Sequence, residues 1–277
     1  MPSLRVMSLN IAHGRRGGPH RVFLRRRAAE TNLVGIAETI RREAPDLVAL
    51  QEADGPSLWS GRFDHVEKLA RLAGYDHLFR GEHVCFWRGR RRICYGSALL
   101  SRHPLAEAAS YRFARSPPTP TKGFVAATLK APGEKKGSGT LCAEHPEGRS
   151  GKRVLTPFSP FRVVSVHLDF SRRRVRLRQV RHMAEELAGS AEPLVILGDF
   201  NCQWEGREDT LQFLAGALDL RPCRPGHAEL LTFPSRRPRR RLDWILISPG
   251  LEFRNYAVLP DRVSDHLPVI AEVERVK

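Results

Sequence analysis

Eight short apolar runs recur along the chain: "LRVMSL" (4–9), "DLVAL" (46–50), "GSALLS" (96–101), "FVAATL" (124–129), "FRVVSVHL" (161–168), "LVILG" (194–198), "DWILIS" (243–248) and "PVIAEVE" (268–274). Each has the length and the aliphatic, β-branched content of a strand with a buried face. Far fewer stretches carry a helical period. The first places Leu33, Ile36, Ala37 and Ile40 on one face. Asp64 and Glu67 resemble a capping box for a second, which carries Val66, Leu69, Ala70 and Ala73 and stops at Gly74. Ser171 is placed to cap a third, with Val180, Met183, Ala184 and Leu187 on one face and Gly189 at its end; a fourth uses Leu211, Leu214, Ala215 and Leu218. So many strands with so few helices overfill a simple βαβ sheet. The pattern predicts an α/β protein of two sheets packed face to face, with helices outside.

The 277 residues read as a single domain. Residues 131–160 have no apolar period and are rich in Gly, Pro, Ser and charge, so they read as a flexible insertion within it. No apolar run approaches the ~18 residues that span a bilayer, and the N-terminus lacks the apolar core and cleavage site of a signal peptide. The five cysteines (Cys85, Cys94, Cys142, Cys202 and Cys223) are odd in number and form no CxxC pair. That usage suits reduced cytosolic thiols, hence a cytoplasmic protein, better than a disulfide framework or a zinc site.

Charge is the outlying quantity: 46 Lys plus Arg against 30 acids, a net +16. Seven of the 46 are lysine, which leaves 39 arginines. Such a field attracts polyanions. In "RRRVRLRQVR" (172–181) six of ten residues are Arg, and in "RRPRRR" (236–241) five of six. A third cluster, "RGRRR" (88–92), follows Phe86 and Trp87. Guanidinium forks match phosphate oxygens, and an aromatic ring beside them can stack a base. Arg172, Arg173, Arg174, Arg239, Arg240 and Arg241 are therefore candidate substrate contacts. No exposed apolar hairpin of the kind that dips into a bilayer is evident, although 131–160 has room for one.

Polar residues stand at the ends of the apolar runs. Asn10 ends "VMSLN", Glu52 follows "LVALQ", and His167 lies in "VSVHLD". Asp199 and Asn201 end "VILGDFN", where residues two apart on an extended chain would project together. Gly198 lets the backbone bend or approach a ligand there. Asp243 opens "DWILIS", and Asp265 and His266 lie in "SDHLP". Every one is of a type that binds metal or moves protons, and together they suit metal-assisted phosphoester hydrolysis. Carboxylates hold a hard cation such as Mg²⁺, another orients the attacking water, and a histidine stabilises developing charge.

Taken in order, "SLN", "LQEAD", "SVHLD", "GDFN", "RLDWI" and "SDHLP" resemble the endonuclease/exonuclease/phosphatase superfamily, the deoxyribonuclease-I-like fold. The resemblance runs from Asn10 to His266. It implies a four-layer sandwich of two mostly antiparallel sheets flanked by helices. It also implies a metal set of Glu52, Asn10 and Asp265 for Mg²⁺, with Mn²⁺ as a substitute. Asp199 would act on the nucleophilic water and Asn201 would position the phosphate. His266, oriented by Asp243, would stabilise the phosphorane, with His167 opposite. Family members specialised for abasic DNA carry an acid two residues after the asparagine and a tyrosine at the histidine position. Ala12 and His167 stand there, which argues against that branch and favours those of the nucleases, tyrosyl-DNA phosphodiesterases, deadenylases and sphingomyelinases. The expectation is a Mg²⁺-dependent phosphodiesterase acting on nucleic acid as a monomer. A phosphatase or phospholipase-type enzyme working on lipid headgroups or small phosphoesters is the alternative, and a silent nucleic-acid binder is a third.

Overall fold

The computed structural model describes residues 3–16, 24–88, 91–130, 160–206 and 208–276. Most of the predicted insertion, the whole of 131–159, lies outside the described residues.

Alternation with period two builds the layers. In β1 (Leu4–Asn10), Leu4 and Val6 face one core while Met7 and Leu9 face another. In β2 (Leu47–Asp54), Leu47 and Ala49 join the first core and Val48 and Leu50 the second. In β9 (Leu194–Asp199), Val195 and Leu197 lie in that first core, but Leu194 and Ile196 enter a third. Strands buried on both faces read as continuous apolar runs, which is why they stood out in the sequence. Helices α1 (Arg26–Glu43) and α2 (His65–Ala73) cover one outer face. Helices α3 (Arg173–Leu187) and α4 (Thr210–Ala217) cover the other.

Between these lie β3 (His77–Arg80), β4 (Val84–Arg88), β5 (Arg91–Ser101), β6 (Leu105–Arg112), β7 (Gly123–Leu129), β8 (Phe161–His167), β10 (Arg221–Pro222), β11 (Asp243–Ile247), β12 (Leu251–Val258) and β13 (Val269–Arg275). One sheet runs β12-β13-β1-β2-β5-β3, with β4 also on β5; the other runs β10-β11-β9-β8-β7-β6. Among the described strands, only β1–β2 and β8–β9 are parallel pairs. The fold is thus the expected α/β sandwich of two mostly antiparallel sheets between helices.

Three local expectations change. Asp64 does cap α2, accepting from Val66 N and Glu67 N, and Gly74 closes it in a left-handed conformation. Ser171, however, is not the cap of α3. The cap position is Arg172, with no side-chain cap bond, and Asp169 instead ties the turn before the helix, its Oδ1 accepting from Ser171 N, Ser171 Oγ and Arg172 N. The cysteines are not all reduced. Cys85 and Cys94 face each other across β4 and β5 and are joined in a disulfide, leaving Cys202 and Cys223 as buried thiols among the described residues. The thiol argument for the cytoplasm is thereby removed. No described helix is long and apolar enough to cross a membrane. Finally, β4 and β5 form an exposed hairpin that the sequence did not reveal, with Phe86 55% and Trp87 64% exposed and the Arg92 guanidinium 4.6 Å from the Trp87 ring.

Candidate active site

A single register row assembles three of the eight candidates. Gly123 pairs with His167 across β7–β8, His167 with Asp199 across β8–β9, and Asp199 with Asp243 across β9–β11. Neighbouring strands lie ~4.8 Å apart, so residues in one row stand side by side. All three side chains fall on the face turned toward the other sheet, continuing the alternation of Val195, Leu197 and Ile245. Gly198 makes the row close: a Cβ there would lie 2.0 Å from Val166 O, and its φ is +155°.

The opposing sheet supplies the rest. Asn10, at the end of β1, donates from Nδ2 to Asp199 Oδ2 at 3.0 Å, and its Oδ1 accepts from Ala12 N. The same Asp199 oxygen lies 3.4 Å from His167 Nε2 and 3.7 Å from His266 Nε2. His266 is fixed by its other nitrogen, with Nδ1 2.8 Å from Asp243 Oδ2, and its ring packs on Phe233. Asn201 does not project from the strand beside Asp199. Its backbone is left-handed (φ 53°), its N–H donates to Asp199 Oδ1, and its Nδ2 donates to Leu168 O. Turn chemistry and site chemistry are the same structure here.

Glu52 sits at a bulge in β2, with φ 51°. Its carboxylate lies 3.3 Å from His13 Nε2, 3.6 Å from Lys122 Nζ and 4.0 Å from His167 Nε2. Sequence reasoning missed His13, Lys122 and Asp54. His13 Nδ1 is 2.7 Å from Asp54 Oδ1, while Trp59 Nε1 donates to Asp54 Oδ2, and the His13 ring packs against both Trp59 and Tyr95, which also touch each other. Lys122 lies within 3.2 Å of both ring nitrogens of His167. The nearest signals in the sequence were the Lys-Gly step before "FVAATL" and the second acid of "LQEAD".

These contacts set the protonation states. Burial opposes charge on His266, yet Asp243 and Asp199 beside it raise it to about 10. Burial and then Asp243 push the Asp199 carboxyl up to about 7, against the pull of His266 and Asn10. Burial, helped by the Lys122 ammonium, holds His167 well below the usual histidine range, so it is neutral. Burial would raise Glu52, but His13, Lys122 and His167 overcome it and keep the carboxylate ionised. His13 is raised because Glu52 and Asp54 outweigh its burial.

The donor chemistry suits a hard divalent cation. Asp199, Asp243 and His266 bring their polar atoms within 4.8 Å of one another, and Asp243 Oδ1 is buried with no hydrogen-bond partner, so in this group the carboxylates rather than the charged His266 are the candidate donors. Asp265 is not in that group; its carboxylate accepts from Ser264 Oγ.

The arginine candidates separate. Arg241 is 4% exposed, stacks on Trp244 at 3.8 Å and donates to Cys223 O, Arg224 O and Tyr256 Oη, so it is a core residue and not a substrate contact. Arg172 is tied to the 116–119 loop through Ser116 O, Pro117 O and Thr119 Oγ1, and Arg173 pairs with Asp209. Arg174, Arg239 and Arg240 are exposed. Of the 88–92 cluster, Gly89 and Arg90 lie outside the described residues.

The model of the Endonuclease/Exonuclease/phosphatase family matches residues 7–266. A comparison of the sequence with curated proteins finds no match. Among solved structures, an endonuclease/exonuclease/phosphatase from Beutenbergia cavernae is 21% identical with a TM-score of 0.68, over 99% of this chain and 72% of that one. The human Nocturnin catalytic domain with bound sulfate is 21% identical with a TM-score of 0.65, over 99% and 95%. A mannosyl-6-phosphatase of Bacteroides thetaiotaomicron is 18% identical with a TM-score of 0.63, over 98% and 100%. At these identities the likeness is one of fold.

Proposed function

Since this chain belongs to the endonuclease/exonuclease/phosphatase family, whose members are hydrolases of phosphoester bonds, we propose that it is a Mg²⁺-dependent phosphodiesterase acting on nucleic acid. The observation that carries the hydrolytic part is the convergence on Asp199 Oδ2 of Asn10, His167 and His266, with Asp243 behind His266.

Each group has a role that its environment supports. Asp199, raised to about 7, is matched to accepting a proton from water near neutral pH. His266 is held as an imidazolium and donates from Nε2 to a phosphoryl oxygen as charge grows there. His167 stays neutral, and Lys122 supplies fixed positive charge beside it. Asn10 and Asn201 orient Asp199. Glu52 and the Asn10 carboxamide would offer oxygen ligands to a Mg²⁺ ion, which leaves Asp199 to act on water. The bound ion would polarise the phosphate and lower the pKa of water.

Nucleic acid is favoured by the net +16 and by the β4–β5 hairpin, whose exposed Trp87 ring stands beside an Arg92 guanidinium that also pairs with Glu82. A base can stack there while the guanidinium meets backbone phosphate. The hairpin grows from the site itself, because Tyr95 on β5 packs against His13. The same two exposed rings support a second reading, a phosphodiesterase of lipid headgroups.

The test is a hydrolysis panel of plasmid DNA, single-stranded DNA, RNA, sphingomyelin vesicles and sugar phosphates, each with Mg²⁺, Mn²⁺ or chelator. Metal-dependent turnover of a polynucleotide is the expected result. Turnover of headgroups or sugar phosphates alone would displace it.

A further inference from the structure

Two ionisable side chains beside the catalytic set take no part in the hydrolytic roles above. His13 lies in the 12–14 turn that follows β1, and Asp54 ends β2, two positions after Glu52. Asp54 is fully buried and both of its oxygens are engaged: Oδ1 lies 2.7 Å from His13 Nδ1, and Oδ2 accepts from Trp59 Nε1 at 2.7 Å. The carboxylate is thereby committed to fixing two side chains. The His13 ring packs on Trp59 and Tyr95 as well, with centroids 5.0 and 4.9 Å away.

The far nitrogen of that ring meets Glu52. Nε2 lies 3.3 Å from Glu52 Oε2, while Glu52 Oε1 faces Lys122 Nζ at 3.6 Å and His167 Nε2 at 4.0 Å. The carboxylate is held from two sides, one oxygen to each. A glutamate has three side-chain torsions and no direction of its own, so a fixed aim needs such neighbours.

The turn that carries His13 is anchored on four elements. Ala12 N donates to Asn10 Oδ1 of β1, Ile11 N to Gln51 O of β2, and Asn32 Nδ2 of α1 to Gly14 O, each at 3.0 Å. Gly14 lies against His65 of α2, where a Cβ would come 2.8 Å from the ring. Ala12 and His13 are held left-handed, with φ 46° and 56°. Strain of this kind persists only where the surroundings over-determine it. A buried ionic pair is also a poorer source of stability than apolar residues of its volume. So much anchoring around one such pair points to service in the site.

We propose that His13, clamped by Asp54 and Trp59, is a positioning residue: it aims the Glu52 carboxylate toward Lys122 and His167, so that the cation's ligand is preset. This rests on the reading of Glu52 as a Mg²⁺ ligand. Removing a partner that fixes a metal-binding carboxylate costs ~10–100-fold in metal affinity.

Asparagine at position 13 separates aiming from folding. Its Nδ2 stands where the imidazole Nδ1 stood and can donate to Asp54, and asparagine tolerates a left-handed backbone. It has nothing at the Nε2 position. Mn²⁺ binding, read from the EPR signal of the free ion, should be about 10–100-fold weaker in H13N, with the metal-free Tm nearly unchanged. D54N should weaken binding in the same direction, because the ring loses its clamp. In turnover, the Mn²⁺ concentration for half-activation should rise by the same factor in H13N, while kcat at saturating Mn²⁺ stays within about fivefold. Wild-type Mn²⁺ affinity in H13N overturns the proposal and leaves Glu52 a ligand. A loss in H13N with none in D54N overturns it too, since His13 would then act without its clamp. If the wild type binds no Mn²⁺, the metal reading fails and the aim is judged on metal-free crystal structures. Glu52 should then leave Lys122 in H13N and stay beside it in the wild type; an unmoved carboxylate overturns the positioning role.

Discussion

Replacing Asp243 by Asn preserves the shape of the site and removes one buried charge. Asp243 is fully buried and holds His266 Nδ1 at 2.8 Å. Burial alone would discharge His266; the carboxylates of Asp243 and Asp199 raise it instead to about 10, from an ordinary value of 6.5. A histidine raised in the folded state contributes stability that is fully present below pH 6.5 and is lost as pH rises through 10. At pH 7 that contribution is about 4 kcal/mol, shared between the two carboxylates because these groups titrate together. D243N should therefore cost about 2 kcal/mol or more at pH 7. Urea unfolding in chelator, from pH 6 to 10, should show wild-type stability declining above pH 7 and a much flatter profile for D243N. Catalysis should fall by about two to four orders of magnitude, because the imidazole remains but is no longer aimed or charged. The paired role also demands non-additivity: D243N/H266A should lose little more kcat than H266A alone. An unchanged pH slope in D243N, or a double loss equal to the product of the single losses, would refute the pairing.

Three further outcomes follow from the geometry. E52A and D199N should each lower kcat by at least about two orders of magnitude in Mg²⁺, and chelator should abolish wild-type turnover; full activity in either case removes the site assignment. R241Q should destabilise by about 2–4 kcal/mol, because it leaves the buried Cys223 carbonyl and the Arg224 carbonyl without their donor and removes a cation from the Trp244 face, whereas R239Q/R240Q should leave Tm nearly unchanged; equal shifts in thermal unfolding would contradict the burial of Arg241. His83 is buried and pushed down to about 3 by desolvation, so its neutral form stabilises the fold above pH 6.5, and that gain is lost as pH falls toward 3. Going from pH 8 to 5 should cost the wild type about 2 kcal/mol more than H83Q, and parallel denaturation profiles for the two would refute this.

The layers were legible in the sequence because the inner strands are buried on both faces and read as unbroken apolar runs. The strands that escaped notice include edges. β6, "LAEAASYR", and β12, "LEFRNYAV", lie at the outer rims of the two sheets and mix polar with apolar residues on partly exposed backbone. Natural edges carry such charge to avoid pairing with other chains. The Phe86–Trp87 hairpin was hidden for a related reason: two exposed rings that run into an arginine cluster give no periodic signal. Within the site, residues that end a buried strand could be found from the sequence alone. Lys122 could not, since its place beside His167 comes from the Gly123–His167 pairing across a gap of more than forty residues. Nor could His13, which lies in a short 3-10 turn with no periodic neighbours.

Glu52 shows why identity was legible and aim was not. Strict alternation along β2 would put Ala49, Gln51 and Ala53 on the face toward the other sheet and turn Glu52 away with Val48 and Leu50. Ala53 instead packs in the same core as Val48 and Leu50, so the phase slips between Leu50 and Ala53. The slip places two consecutive side chains toward the opposing sheet, where Gln51 Nε2 donates to Ser165 Oγ and Glu52 reaches Lys122 and His167. A bulge is defined by the partner strand as much as by its own residues, so no local pattern announces it. Its cost is a left-handed Glu52, and Ala12, His13 and Asn201 are left-handed as well. At about 1–3 kcal/mol each, such strain persists only where the surrounding structure over-determines it. Here the buried sheets on either side supply that constraint, and these four positions, among nine left-handed non-glycine residues described, turn Glu52, His13 and Asn201 onto one site.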